Sequence, residues 1–301
     1  MSKRNWSTYN ESLIERGHIL MDIGFIKSQR RELANMNDKK VGRPFLYPDS
    51  YVQFLAFIKI GFSISYRTVQ GIVRGLAEYI KIEEMHFTQL KSCIKKMCTN
   101  VRNVYNLNNN DNDNSKGESI TLAIDASGLN ISKKAHYIED KWKKERREYL
   151  KLHIAVNTES KQIISFRVTK GTVHDTKKFV PMIKEIFKHH NITKVYADKA
   201  YDSKTNFNML DKMHIEPVIS TRKNANGRTR KCKSRNELHL IQKIGYDRYK
   251  KLNNMGRRWI AEVVFSSLKR VLGEHLLSRR FTMQKAETAL KIMLYNRFVS
   301  I

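Results

Sequence analysis

Three acidic residues lie in sequence surroundings that are uncommon for a carboxylate. Two of them adjoin apolar runs, and the third lies between two cations on one helix face. Asp125 lies within the apolar run LAIDASGL, and Asp198 follows the apolar residues of VYADKAYD. Glu262 lies in RRWIAEVVFSSLKR; at about 100° per residue, Arg258, Glu262 and Lys269 fall within roughly 40° of one another on a helix. A salt-bridged solvent face explains that helix when it is considered alone. A single Asp near a strand is usually a turn or cap residue, so the case for a site depends on all three acids meeting.

The two aspartates favour a cation site if their strands are neighbours. A buried, unpaired carboxylate is costly, and a bound cation removes that cost. Hard oxygen ligands suit Mg²⁺ or Mn²⁺ better than zinc. If the helix that carries Glu262 packs beside the sheet, a three-acid cluster results, with Arg258 and Lys269 where a phosphate would lie. Two such ions, held about 4 Å apart, activate a nucleophile and stabilise the leaving oxygen in phosphoryl transfer.

The elements that would position these acids form an α/β pattern. ITLAIDASGLNIS and YLKLHIAVNTESKQIISFRVTKG predict three strands in a meander. A crossover helix that Asp175 could cap follows in HDTKKFVPMIKEIFKHH, then a strand in KVYADKAYD. KTNFNMLDKM predicts a helix that Asp202 could cap, and EPVIS predicts a last short strand. The fold class is therefore α/β, with a mixed sheet and flanking helices.

A smaller helical region precedes this sheet. Asp49 or Ser50 could cap a helix through VQFLAFIKI, and SYRTVQGIVRGLAEYI predicts a second helix after a short connection. This pair resembles a helix-turn-helix in which Arg67, Gln70 and Arg74 share one face and could reach DNA. A solvated polar face on a small helical bundle explains the same pattern. We expect a helical DNA-binding region at 1–105, an Asn-rich linker at 106–117 and a catalytic domain at 118–301.

Composition points to a polyanionic partner. The 57 Lys and Arg against 29 Asp and Glu give a net charge of +28, which favours nucleic acid. The longest apolar stretch, VQFLAFIKIGFSI, is short and contains Lys59, so we expect no membrane span. Three cysteines and an amino terminus without an apolar core are typical of a cytoplasmic protein, here one expected to associate with the nucleoid.

One segment between the second and third acids is strongly basic. STRKNANGRTRKCKSR, residues 220–235, has seven basic and no acidic residues. We interpret it as a loop that reaches over DNA, with Arg228, Arg230 and Lys231 as contact candidates. A solvated loop without a ligand is the alternative.

The motifs in this order, IDASGL, KLHIAVN, TKGTVHD, ADKAYD and AEVVFSSLKR, resemble those of the DDE-class transposases of bacterial and archaeal insertion sequences. YNESLIERG, GRPFLYPD and SYRTVQGIVRGL extend the resemblance towards the amino terminus. It implies a ribonuclease H-like fold and an Asp125–Asp198–Glu262 triad that binds two Mg²⁺ or Mn²⁺ ions. It also implies a homodimer in a synaptic complex that binds terminal inverted repeats of double-stranded DNA, cuts the element ends and joins them to target DNA.

The family signature Tyr-x2-Arg-x3-Glu-x6-Lys maps onto Arg258, Glu262 and Lys269, whose two cations would contact backbone phosphates. Its Tyr position holds Met255, which departs from the pattern and puts full activity in question. His174 resembles a recurrent family position. Two other functions stay open: a catalytically inactive or domesticated DNA-binding protein, and a nuclease with the same triad but no joining step.

Overall fold

The computed structural model describes residues 5–99, 119–131, 149–220, 240–241 and 243–301. The chain forms two compact units. One contains residues 1–108 together with Leu276–Ile301, and the other contains residues 109–275. The expected linker at 106–117 lies outside the described residues.

The first unit is helical. Its helices are α1 (Trp6–Leu20), α2 (Phe25–Asn37), α3 (Asp49–Gly61), α4 (Tyr66–Ala77), α5 (Phe87–Thr99) and, from the carboxyl end, α10 (Phe281–Val299). Helix α3 is buried along most of its length, and α10 packs against α1, α3 and α5. The sequence interpretation placed residues 276–301 with the catalytic domain, whereas the structure groups them with the amino-terminal helices.

Buried charges explain part of that grouping. The carboxylate of Glu287 in α10 accepts hydrogen bonds from the backbone N–H of Leu277 at 2.8 Å and of Ser278 at 2.9 Å. Lys59 of α3 and Lys291 of α10 are also buried, and burial lowers the pKa of both ammonium groups while Glu287 opposes that shift. The negative charge of Glu287 therefore offsets part of the cost of burying the two lysines.

The second unit is built on a five-stranded sheet. Strands β1 (Ser119–Asn130), β2 (Tyr149–Asn157), β3 (Ile163–Lys170), β4 (Asn191–Ala197) and β5 (Glu216–Ile219) lie in the order β3-β2-β1-β4-β5. The first three strands form an antiparallel meander, and β4 and β5 continue the sheet in parallel with β1. Helices α6 (Thr176–Ile186), α7 (Lys204–Lys212), α8 (Tyr246–Leu252) and α9 (Trp259–Leu272) flank it. The α/β fold expected from the sequence, with a mixed sheet and flanking helices, is confirmed.

Side chains alternate between the two faces of this sheet, and each face has its own core. Leu122 and Ile124 of β1 pack with α6 and α7, whereas Ala123 of β1 and Tyr196 of β4 pack with Ala261 of α9. The sheet therefore has an α6 face and an α9 face. In the described part of the chain, no helix is long and apolar enough to cross a membrane.

Several caps differ from those expected. Helix α3 begins after Pro48, and Ser50 instead donates from its backbone N–H to Glu32 at 3.0 Å. Ser203 rather than Asp202 caps α7, because its hydroxyl accepts from the N–H of Asn206. Asp175 precedes α6 without capping it, since its carboxylate lies against Lys151 instead.

Candidate active site

Asp125 and Asp198 come together because their strands are neighbours. Strand β1 runs parallel to β4, with Ile124 opposite Ala197. Asp125 directly follows Ile124, and Asp198 directly follows Ala197. Neighbouring strands lie about 4.8 Å apart, which places the two residues side by side at one edge of the sheet. Counting by twos from Ala123 and Tyr196 puts both aspartates on the α9 face.

The two aspartates share a local geometry. Oδ1 of Asp125 accepts from the backbone N–H of Ala126 at 2.8 Å, and Oδ1 of Asp198 accepts from that of Lys199 at 2.7 Å. Each carboxylate is thus held by the peptide that follows it, and Asp198 also begins the 3₁₀ turn Lys199–Tyr201. These bonds leave further lone pairs on each carboxylate for a ligand.

Arg258 links the second and third acids. One guanidinium nitrogen donates to Oδ1 of Asp198 at 2.7 Å, and the other lies 3.6 Å from Oε1 of Glu262. Arg258 ends a 3₁₀ turn, Met255–Arg258, and the α-helix that carries Glu262 begins at Trp259. The expected proximity of Arg258 and Glu262 therefore holds, although the arginine precedes the α-helix.

The other two acids act electrostatically on Asp125. The pKa of Asp125 is raised to about 6, chiefly by burial; the charges of Asp198 and Glu262 contribute to the rise, while the hydrogen bond from Ala126 and the charge of Arg258 oppose it. Asp198 and Glu262 are therefore near enough to disfavour the negative charge of Asp125. A cation at this edge would remove that repulsion.

The residue types fit a hard divalent cation, although the side chains do not surround one. Within the described ranges, no three His, Cys, Asp or Glu side chains are arranged to hold a metal ion. Arg258 occupies the space between Asp198 and Glu262, as its contacts with both show. Glu262 is 55% exposed, so its side chain can turn towards the aspartates without disturbing packed neighbours. Three carboxylate donors suit Mg²⁺ or Mn²⁺.

The other signature positions lie on the same segment. Lys269 is partly buried near the end of α9, two turns beyond Glu262. Met255 is buried with Tyr249 and Ala261 in the core under the α9 face. The position at which the signature has Tyr therefore contributes to packing in this chain.

The three amino-terminal DNA-contact candidates have partners inside the helical unit. Arg74 and Gln70 both donate to the carboxylate of Glu84, at 2.8 Å and 2.7 Å. The Gln70 side chain also accepts from the N–H of Phe87 at 3.0 Å, and Arg67 lies over the Phe87 ring, 4.9 Å from its centre. These side chains thus hold the segment between α4 and α5. Their proposed DNA contacts remain predictions.

Of the remaining candidates, one lies within the described residues and three lie outside them. His174 is exposed, and its Nδ1 lies 2.9 Å from the hydroxyl of Thr176. It lies before α6, whereas Asp125 and Asp198 lie on the α9 face. Arg228, Arg230 and Lys231 lie outside the described residues.

Sequence reasoning missed a polar cluster on the opposite, α6 face of the sheet. Lys151, His153 and Asp175 meet there, and the hydroxyl of Tyr201 is buried within electrostatic reach of Asp175. A signal was available in KLHIAVN, since Lys151 and His153 are polar residues two apart in a strand and must share a face.

Comparison with known proteins identifies the family. Residues 116–297 match the family described as "Transposase DDE domain", and residues 14–134 match a second family of the same description. The first match covers more than half of the 301 residues. The chain belongs to the DDE transposases, as the sequence motifs indicate.

Solved structures of transposases resemble the chain distantly. The piggyBac transposase in a synaptic complex with hairpin DNA is 12% identical with a TM-score of 0.46, over 95% of this chain and 74% of that one. The Drosophila P element transposase in a strand transfer complex is 12% identical with a TM-score of 0.35, over 92% and 70%.

Proposed function

We propose that this protein binds the terminal inverted repeats of its own insertion sequence, cuts the DNA at the element ends and joins them to target DNA. The observation that carries the proposal is the pairing of β1 with β4, which puts Asp125 beside Asp198, together with Arg258, which contacts both Asp198 and Glu262. Membership of the transposase family supports it. A DNA-binding protein that had lost catalysis would have no need for this arrangement of acids.

Asp125, Asp198 and Glu262 are the residues that would hold two Mg²⁺ or Mn²⁺ ions. Such ions, when bound, activate the attacking water or 3′-hydroxyl and stabilise the leaving oxygen of an in-line phosphoryl transfer. In this scheme the backbone N–H groups of Ala126 and Lys199 orient the two aspartates. Glu262 turns away from Arg258 to complete the set of ligands.

The cations of the same segment would bind the substrate. Arg258 exchanges its carboxylate partners for a backbone phosphate next to the reacting bond, where its planar donors suit two phosphate oxygens. Lys269 contacts a phosphate further along the strand, and Arg228, Arg230 and Lys231 add contacts from the basic segment. The net charge of +28 makes DNA binding strongly dependent on salt. Synapsis of two element ends calls for two copies of the chain.

Cleavage of a duplex that carries the element's terminal repeat, in Mg²⁺, tests the proposal. Glu262→Gln is expected to abolish cleavage while leaving DNA binding within about twofold, because the charge is lost but the shape is kept. Glu216→Gln is the matched control: Glu216 is 51% exposed and is likewise ion-paired, with Lys194 at 2.8 Å. Equal cleavage by wild type and Glu262→Gln would overturn the assigned triad, and binding without cleavage by wild type would favour an inactive DNA-binding protein.

A further inference from the structure

Arg258 neutralises part of the negative charge of the proposed metal ligands. Its Nη1 donates to Oδ1 of Asp198 at 2.7 Å, and its Nη2 lies 3.6 Å from Oε1 of Glu262. Burial raises the pKa of Asp125, and the charge of Arg258 opposes that rise. One guanidinium therefore contacts two of the three acids directly and acts electrostatically on the third.

The backbone on both sides of Arg258 is anchored to the sheet. Met255, at the start of its 3₁₀ turn, is buried in the core under the α9 face. The hydroxyl of Tyr196 in β4 donates to the Asn253 carbonyl at 3.3 Å, and α9 packs against β1 and β2. The Arg258 side chain is 29% exposed, so it can turn towards solvent while the backbone stays in place.

The guanidinium of Arg258 competes with a divalent cation for the same carboxylates. Asp198 and Glu262 cannot bind a metal ion while Arg258 contacts both without bringing two positive charges side by side. In a partly buried site this repulsion is screened less than it is in bulk water. The two acids are therefore poor metal ligands for as long as Arg258 has no other partner.

A DNA phosphate would be such a partner. The planar guanidinium group binds two oxygens of a phosphate as well as it binds those of a carboxylate. When Arg258 turns to a phosphate, Asp198 and Glu262 lose their cation and attract a metal ion more strongly. Binding of either ligand thus removes an obstacle to the other, and thermodynamic linkage makes the gain in affinity equal in both directions.

We propose that Arg258 couples metal binding to DNA binding. In the DNA-free chain it holds Asp198 and Glu262 and keeps their affinity for a divalent cation low. A backbone phosphate draws the guanidinium away, and the released acids then bind the metal, so that the site is completed on bound DNA. This inference rests on the proposed function, since it takes the acids as metal ligands and DNA as the substrate.

Mn²⁺ binding to the DNA-free full chain, followed by the electron paramagnetic resonance of free Mn²⁺, tests the competition without a reaction. Arg258→Gln is expected to bind Mn²⁺ about 10-fold more tightly than wild type, because the competing cation is gone. The matched control is Arg257→Gln, since Arg257 carries the same charge but pairs with Glu159 at 2.5 Å in the turn between β2 and β3. The control should stay within about twofold of wild type, because its more exposed charge is screened. Equal tightening in both variants would reveal a general effect of charge and contradict direct competition.

DNA binding measured with and without Mn²⁺ tests the coupling itself. A duplex that ends in the cut terminal repeat and lacks the 3′-hydroxyl can be neither cleaved there nor joined, so its fluorescence anisotropy reports binding alone. At constant ionic strength, saturating Mn²⁺ should tighten binding about 10-fold for wild type and less than about threefold for Arg258→Gln. The same factor in the two proteins would overturn the inference.

Failure of this inference differs from failure of the proposed function. If Asp125→Asn abolishes Mn²⁺ binding while Arg258→Gln binds Mn²⁺ no more tightly than wild type, the coupling is wrong and the proposed triad stands. If wild type and Asp125→Asn bind Mn²⁺ equally, both are wrong. Should Arg258→Gln not fold, Arg258→Lys takes its place, because a single ammonium group lacks the two separate nitrogens that contact the two acids. A smaller shift in the same direction is then expected, and an unchanged Mn²⁺ affinity again contradicts the coupling.

Discussion

Asp125 is the residue at which the candidate site conflicts most with stability. Its carboxylate is largely buried, and its pKa is raised to about 6 by burial and by the two other acids. A raised carboxyl pKa means that the ionised form destabilises the folded chain at neutral pH. Such a conflict between stability and charge is expected where a cation is part of the working site.

Asp125→Asn is therefore expected to stabilise the metal-free chain at pH 7.5 by about 1–3 kcal/mol, since the amide keeps the shape without the charge. Urea denaturation in EDTA measures this change in the free energy of unfolding. Asp247→Asn, on the exposed side of α8, serves as a control and is expected to change it little. A destabilised Asp125→Asn variant would show that the carboxylate has a structural rather than a ligand role.

His153, in the sheet unit, makes the free energy of unfolding depend on pH. Its folded pKa of about 4 lies below the ordinary value of 6.5, so the unfolded chain binds a proton that the folded chain does not. The stabilising contribution is complete above about pH 6.5 and is lost as the pH falls towards 4, with a total of about 3 kcal/mol. Urea denaturation across this range should give a flatter stability curve between pH 6.5 and 4 for His153→Gln than for wild type. An unchanged slope in His153→Gln would mean that the fold does not shift the pKa of this imidazole.

At the scale of elements, the sequence pattern predicts the helix that carries Glu262 but not which of its faces is buried. Its apolar periodicity predicts a buried stripe that includes Ile260, Val263 and Val264. The buried face consists instead of Ala261, Val264, Phe265, Leu268 and Leu272. The pattern predicts a helix correctly, but several of its faces are apolar enough to be buried. Which one packs depends on the 3₁₀ turn before it and on contact with β1 and β2.

Two adjacent valines test this orientation. Val264 is buried, so Val264→Ala should lower the free energy of unfolding by about 1–3 kcal/mol through lost contacts and a cavity. Val263 is 54% exposed, so Val263→Ala should change it by less than about 0.5 kcal/mol. Urea denaturation of the two variants compares them directly. The reverse order of effects would support the stripe read from the sequence.

The strands were easier to predict than the helix orientation. Alternation in LAIDASGL and KLHIAVN, with turn residues between the runs, specifies each strand and both of its faces. Asp125 can be placed beside Asp198 once α6 is recognised as the crossover that returns the chain to pair β4 in parallel with β1. Such crossovers are regular in α/β proteins. The position of Tyr201 in the fold could not be predicted in this way, because a hydroxyl in the space between helix and sheet leaves no periodic mark in the sequence.

At the scale of the whole molecule, the carboxyl-terminal helix joins the amino-terminal helices rather than the sheet unit. Helix α10 is buried on nearly every side, including Glu287 and Lys291. A sequence that is buried all round predicts a central helix but does not name its neighbours. Chain order alone suggested the catalytic domain, and only the packing against α3 and α5 reveals the actual partners.

Leu290→Ala tests this grouping, because Leu290 is fully buried in α10. We expect a loss of about 2–5 kcal/mol that is confined to the helical unit. Hydrogen exchange should then accelerate in residues 49–61 and 87–99 and stay slow in the five strands. Faster exchange in the strands, with protected amino-terminal helices, would contradict the two-unit description.

The most direct test of the central claim is strand transfer with a pre-cut element end. A duplex that ends in the terminal repeat with a free 3′-hydroxyl is incubated with a plasmid, Mg²⁺ and either wild type or Glu262→Gln, and covalent joining is measured. We expect joined product with wild type, none with Glu262→Gln and wild-type yield with Glu216→Gln. Cleavage of terminal-repeat DNA by a wild-type chain that never joins this end to the plasmid would contradict the assignment as a transposase and would identify a nuclease instead.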